Sequence, residues 1–206
     1  MKSKKYFAFF LVLIMILNFN FTVYAQSFDY IVKSGDSLWR IAVKYQVGLS
    51  EIISMNPQIA NPNLIYPGEK LKIPDLQQTK NVENEVIRLV NIERTKRGLK
   101  PLKANWQLSR VARYKSMDMR DKKYFSHTSP TYGSPFKMMK DFRINFMMAG
   151  ENIALGQRTP KEVMNSWMNS PGHRSNILNP RFTEIGVGIA YSKDRGIYWT
   201  QMFIKP

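Results

Sequence analysis

Apolar positions in the stretch from Tyr30 to Pro74 change their spacing twice. Tyr30 to Lys33 reads as a short β-rich run ended by Ser34-Gly35, and Leu71 to Ile73 as a return strand after the Pro67-Gly68 turn. Between these runs Leu38, Ile41, Ala42 and Tyr45 fall at i, i+3, i+4 and i+7, which makes one apolar helical face. Asp36 is placed to accept from the free amides at the start of that helix, and Gly48 to close it. Ser50 is placed to start a second helix that offers Ile52, Ile53 and Met55 to a core before "NPQIANPN" breaks it. The predicted order is strand, helix, helix, strand.

The stretch "PDLQQTKN" opens with proline, is polar and has no apolar period, which predicts a linker over residues 75–81 and a second domain over 82–206. Val82, Val86, Leu89 and Val90 then give a helix that Arg97-Gly98 ends. Leu108, Val111, Ala112, Lys115 and Met119 give another. A third has a legible start, with Thr159 as N-cap, Pro160 in the first turn and Glu162 three residues after the cap. Its apolar face is Val163, Met164, Trp167 and Met168, and Ser170-Pro171-Gly172 is expected to stop it. After that the period becomes two. "IGVGIAYS" and "GIYWTQMFI" read as antiparallel strands, and neither face of the second is plainly polar, so helices are expected above and below the sheet.

Residues 1–25 stand apart, with "KSKK", an apolar run of about 12 residues and "TVYA" in the order of a secretory signal cleaved after Ala25. The run is shorter than the roughly 20 residues that cross a bilayer as a helix. The chain contains no cysteine, so the exported product must be stable without disulfides, which suits a Gram-positive bacterium. Charge is uneven: residues 26–74 carry 5 basic and 4 acidic side chains, and residues 75–206 carry 23 and 11. Outside a cell that excess favours anionic wall polymers or lipid headgroups over nucleic acid. The basic side chains are scattered through helical patterns, however, which equally fits a solvated, soluble face.

The first repeat of spacing carries a resemblance. "VKSGDSLWRIAVKY", "MNP" and "NLIYPGEKLKIP" are in register with the LysM family, and residues 29–74 resemble a whole LysM domain. The resemblance implies a β-α-α-β module that binds N-acetylglucosamine-containing glycans, chiefly peptidoglycan or chitin. Its shallow groove maps to Gly35, Asp36, Ser37 and Leu38 in one loop and to Asn63, Leu64 and Ile65 in the other. Asp36 and Asn63 also have a plain structural reading as capping and turn residues.

Residues 83–205 resemble the CAP superfamily of cysteine-rich secretory, antigen-five and pathogenesis-related proteins in its cysteine-free bacterial form. "LVNIERTKRGLKPL", "YFSHTSP", "AGENIALG", "VMNSWMNSPGHRSNILNPRFTEIGVGIA" and "YWTQMF" carry the likeness. The implied fold is an α-β-α sandwich, so the whole chain is of the α+β class. The implied site is a cleft with two histidines and two acidic residues, carried over to His127, Glu151, His173 and Glu184, where the second pair follows the bacterial order. His173 is expected to end its helix and to face His127.

Two imidazoles and two carboxylates suit a divalent metal such as zinc, although no cofactor is required by the pattern. They equally suit metal-free acid-base chemistry. Ser126, Thr128 and Ser129 have no spacing that marks a nucleophile. Three functions remain open at this point. The favoured one is a non-enzymatic module held in the cell wall or spore envelope by its LysM domain; the others are a wall-associated hydrolase and a lipid- or sterol-binding protein. The methionines of "NFMMAG" and "PFKMMKDF" offer the last of these an adaptable pocket, or simply core packing.

Overall fold

Tyr30, Leu38, Ile41, Ile52, Leu71 and Ile73 meet in one apolar cluster at the N-terminal end of a computed structural model that describes residues 26–206. The expected signal segment lies outside the described residues. The cluster joins an antiparallel pair, β1 (Ser27–Ile31) and β2 (Lys70–Pro74), to helices α1 (Leu38–Tyr45) and α2 (Leu49–Met55). Buried Asn56 fastens the layers, donating to the carbonyls of Ile52 and Lys72 and accepting from the Lys72 amide.

The helix ends differ from the expectation. Ser37 is the N-cap of α1, accepting from the Arg40 amide, because Asp36 is already engaged by the Tyr30 hydroxyl and the Lys33 amide. Gln46, in a left-handed conformation, ends α1. Gly48 instead opens α2, with Glu51 returning its carboxylate to the Gly48 amide at 2.9 Å, and Ser50 lies inside that helix. A methyl group on Gly48 would lie 2.4 Å from the Arg110 guanidinium, so a larger residue there would have to displace that side chain from the contact between domains.

The expected linker is mostly helix. Only two residues separate the end of β2 from α3 (Gln77–Thr95), whose polar first turns are stabilised by bonds such as Gln77 Nε2 to Asn81 Oδ1 at 2.8 Å. A polar stretch without apolar period is thus a solvent-facing helix start, with Asp75 accepting from the Gln77 amide. Lys80 also reaches back to the Tyr45 carbonyl at the end of α1.

The second domain is a four-stranded sheet between two helical layers. Its remaining elements are β3 (Lys103–Ala104), α4 (Trp106–Asp121), α5 (Pro135–Asp141), β4 (Met148–Leu155), α6 (Pro160–Asn169), α7 (Pro171–Ile177), β5 (Glu184–Ser192) and β6 (Gly196–Lys205). The strand order is β3-β5-β6-β4, with β3 parallel to β5 and the other pairs antiparallel. Ile185, Val187, Ile189, Trp199 and Phe203 face α3 and α6, where Trp167 is fully buried. Met202 and Ile204 face α4 and α5. Glycines at 186 and 188 let α4 lie on the sheet, since a Cβ at either would fall 2.4 Å or less from the α4 backbone.

Side chains occupy outward backbone groups of β5, beyond the short β3, and of the edge strand β4. Along β5, the Val187 amide donates to Ser109 Oγ and the Ile189 amide to buried Glu83. Along β4, Trp167 Nε1 donates to the Ile153 carbonyl and Asn176 Nδ2 to the Glu151 carbonyl, each at 3.2 Å. Met138 and Met139 are core residues and Met147 is largely exposed, so the methionine stretches do not line a shared pocket.

Ser170-Pro171-Gly172 ends α6 and at once starts another helix. Ser170 is the C-cap of α6 and the N-cap of α7, and Pro171 occupies a first-turn position where its missing N–H costs nothing. His173 therefore sits in the first turn of α7 and does not end α6.

Candidate functional site

His127 lies in the loop after α4, and α4 holds that loop from below. Lys115 donates from Nζ to the carbonyls of Ser126 and His127, each at 2.8 Å. One turn on, Asp118 accepts from the Tyr124 hydroxyl and Ser129 Oγ at 2.6 Å and from the Thr131 hydroxyl. Lys115 is fully buried, and burial lowers its pKa while the nearby Glu151 and Asp118 carboxylates oppose the shift. At the sequence level it is one more position of a helical face; a lysine in an apolar stripe is the signal that marks it.

His127 Nδ1 and Glu151 Oε1 are 2.7 Å apart, with the carboxylate side chain 1% exposed and the imidazole 53% exposed. Burial pushes the Glu151 carboxyl above its ordinary pKa, opposed by the hydrogen bond from His127 and the charge of Lys115. Its second oxygen has no hydrogen-bond partner among the described residues. Glu151 thus holds one ring nitrogen of His127 and turns the other edge of the ring outward.

An amide network seats His173. Asn152 Nδ2 donates to the His173 carbonyl and to Gln201 Oε1, each at 3.1 Å, and Asn176 Nδ2 donates to Asn152 Oδ1 at 2.8 Å. Burial, then the neighbouring charge of His127, lowers the His173 pKa. The two histidines line one open cleft of about 470 Å³, walled by Phe125, Leu155, Gln157 and Trp167. Asn152, Asn176 and Gln201 escape a sequence reading because single amides in strands and helix ends carry no distinctive spacing.

Glu184 is not part of this cleft. Its Oε2 accepts from Asn105, the N-cap of α4, at 2.6 Å. Glu151 pairs with Met202, which pairs with Gly186, so Glu184 lies two strands and two residues away, about 12 Å between backbones at ordinary sheet spacings. Among the described residues no three His, Cys, Asp or Glu side chains converge on a metal position. A four-ligand metal centre of His127, Glu151, His173 and Glu184 is therefore not formed, because β6 stands between the two carboxylates.

In the LysM half, the expected glycan loops divide. Leu38 is core, Ser37 is an N-cap and Asp36 is bonded within its own loop, which leaves the exposed backbone around Gly35. In the other loop the Asn63 amide donates to Asn61 Oδ1, Ile65 packs against the core and Leu64 stays half exposed. Leu64 lines a concavity of about 380 Å³ with Ile59 and Asn61, which the sequence offers only as part of a helix-breaking stretch, and with Tyr66 of the LysM-like "NLIYPGEKLKIP".

The architecture is a β-α-α-β module followed by an α-β-α sandwich with an open cleft that two histidines line. The CAP model of the cysteine-rich secretory protein family matches residues 87–203, more than half of the chain, and the chain belongs to that family. The LysM domain model matches residues 30–74. The chain is 62% identical over 122 residues to the uncharacterized protein YkwD of Bacillus subtilis (strain 168), covering 59% of this chain and 46% of that protein. It is 49% identical over 45 residues to the spore coat assembly protein ExsA of Bacillus cereus, covering 22% of this chain and 7% of ExsA. The crystal structure of an extracellular protein containing an SCP domain from Bacillus anthracis matches with 36% identity and a TM-score of 0.56, covering 68% of this chain and 47% of that one. The chain thus spans less than half the length of each of these relatives.

Proposed function

We propose that this cell-wall-associated CAP protein is exported, held on peptidoglycan by its LysM domain, and presents the His127–His173 cleft to a ligand or partner without turning it over. The observation that carries the reading is the pairing of a complete LysM domain with an open cleft lined by His127, which buried Glu151 holds, and by His173, whose backbone Asn152 holds. Similarity to a spore coat assembly protein supports the spore envelope as one location. Co-sedimentation of the full chain with purified peptidoglycan tests the tether. It is expected to persist at about 1 M salt, where the Debye length is about 3 Å. Replacing Leu64 and Tyr66 by alanine is expected to release the chain. Association that vanishes in salt would be the work of the basic CAP surface and would sink the tether.

One geometric fact favours a hydrolase as the second reading. A buried carboxylate bonded to one imidazole nitrogen is the arrangement that orients a general base toward a water in a cleft. Cleavage of peptidoglycan fragments by the wild type, lost in Glu151→Gln, would select it over the non-catalytic reading.

A further inference from the structure

We propose that the crevice between the two domains is a second sugar subsite, so that one N-acetylglucosamine-containing strand engages the LysM loops and α4 together. The inference rests on the glycan reading of the LysM domain. The crevice encloses about 160 Å³; Trp39, Val43 and Leu49 line it from α1 and α2, and Trp106, Gln107 and Arg110 from α4. Trp39 is 65% exposed and Leu49 39%, and the LysM core closes without either. Two indoles beside a side-chain amide match a pyranose, which presents an apolar C–H face and a rim of hydroxyls.

Charge narrows the ligand further. In a chain of net charge +16, Arg110 is the one ionisable side chain lining this crevice. Its guanidinium is already bonded to Glu51 Oε1 at 2.9 Å and Ser50 Oγ at 3.1 Å. An uncharged ligand fits, and an anionic wall polymer has nothing free to bind. Position gives the direction of the strand. Trp39 is one residue beyond the Gly35–Leu38 loop and lines the crevice opposite Trp106 of α4, so a strand seated on both loop and crevice would run from the LysM module toward α4. Because Glu51 is bonded to both Arg110 and Tyr114, the two walls are already in place before binding, which removes an ordering cost.

Calorimetric titration of the full chain with chitin oligomers of increasing length tests the proposal. Affinity is expected to rise about tenfold once an oligomer is long enough to reach α4, the effect of one aromatic platform joined to an existing site. Trp106→Ala is expected to abolish that rise and leave short-oligomer affinity unchanged, and Trp106→Phe to restore most of it. Trp39→Ala, at an exposed position that empties no core site, is expected to repeat the loss. Unchanged long-oligomer binding in both alanine variants overturns the subsite. So does a concentration-dependent dimer that Trp39→Ala dissolves, since a second copy would then be the occupant. A wild-type chain that binds no oligomer of any length removes the LysM glycan reading, and this subsite with it.

Discussion

His173 shows what a shift of one turn does to a single group. A histidine that ended a helix would be stabilised as a cation; in the first turn of α7 it has no such support. Burial and the charge of His127 instead keep its pKa below the ordinary value. The unfolded chain therefore binds the proton more readily than the fold, and stability is lost as pH falls through the usual histidine range near about 6.5. His173→Gln is expected to flatten that part of the stability–pH curve, read by denaturant midpoints across the range. A His173 NMR titration midpoint at or above that of a free histidine would contradict the account. The family likeness points to His127 and His173, which line one cleft, and to Glu151, which lies buried against His127. Sequence reasoning missed Glu184's true role because the family order says nothing of which strand separates two carboxylates. It also missed the α6–α7 junction, since Ser-Pro-Gly reads equally well as a helix stop and as a helix start.

At the scale of elements, periods of 3.6 and 2 were legible wherever one face meets a core: α1, α4, α6, β5 and β6 all lie where the apolar spacing put them. The first turns of α3 were not, because a helix start that faces solvent has no apolar period to show. Nor was the joint between α3 and α4, which consists of charges. Arg113 Nε donates to both oxygens of Glu83 at 2.8 and 3.1 Å, with side-chain exposures of 8% and 2%. Burial outweighs the attraction of Arg113 and pushes the Glu83 carboxyl up to about 7. Its contribution to stability is then complete below the ordinary glutamate value of about 4.3 and is lost as pH rises through about 7. Glu83→Leu alone is expected to cost roughly 3–5 kcal/mol by stranding Arg113, whereas Glu83→Leu with Arg113→Met is expected to be near neutral. Chemical denaturation at about pH 5 and about pH 8 checks both claims, and the double variant should lose the decline between them. A single variant as stable as the wild type would show that the pair holds nothing together.

For the whole molecule, the contact between domains decides how the chain unfolds. Arg110 lies against the rings of Tyr114 and Phe142, at 5.2 and 5.5 Å, while it and the Tyr114 hydroxyl bind Glu51. Burial pushes the Glu51 carboxyl up, but the N-cap amide of Gly48, then Arg110 and Tyr114, outweigh it and hold the pKa below its usual value. A single calorimetric transition is expected for the wild type. Arg110→Ala is expected to cost roughly 1–3 kcal/mol and to split the melt into two transitions, one for each core. If the variant still melts as one unit, the helical connection through α3 suffices to couple the domains.

The side chains bonded along the sheet edges bear on how copies of the chain would tolerate crowding. The proposed tether to a repeating polymer would bring many copies of one chain side by side, where bare strand edges would template stacking. Here Ser109 and Glu83 occupy the outer amides of β5, and Trp167 and Asn176 occupy the outer carbonyls of β4. At those four positions an incoming strand would have to displace a side-chain bond before it could pair, which disfavours stacking along β5 and β4.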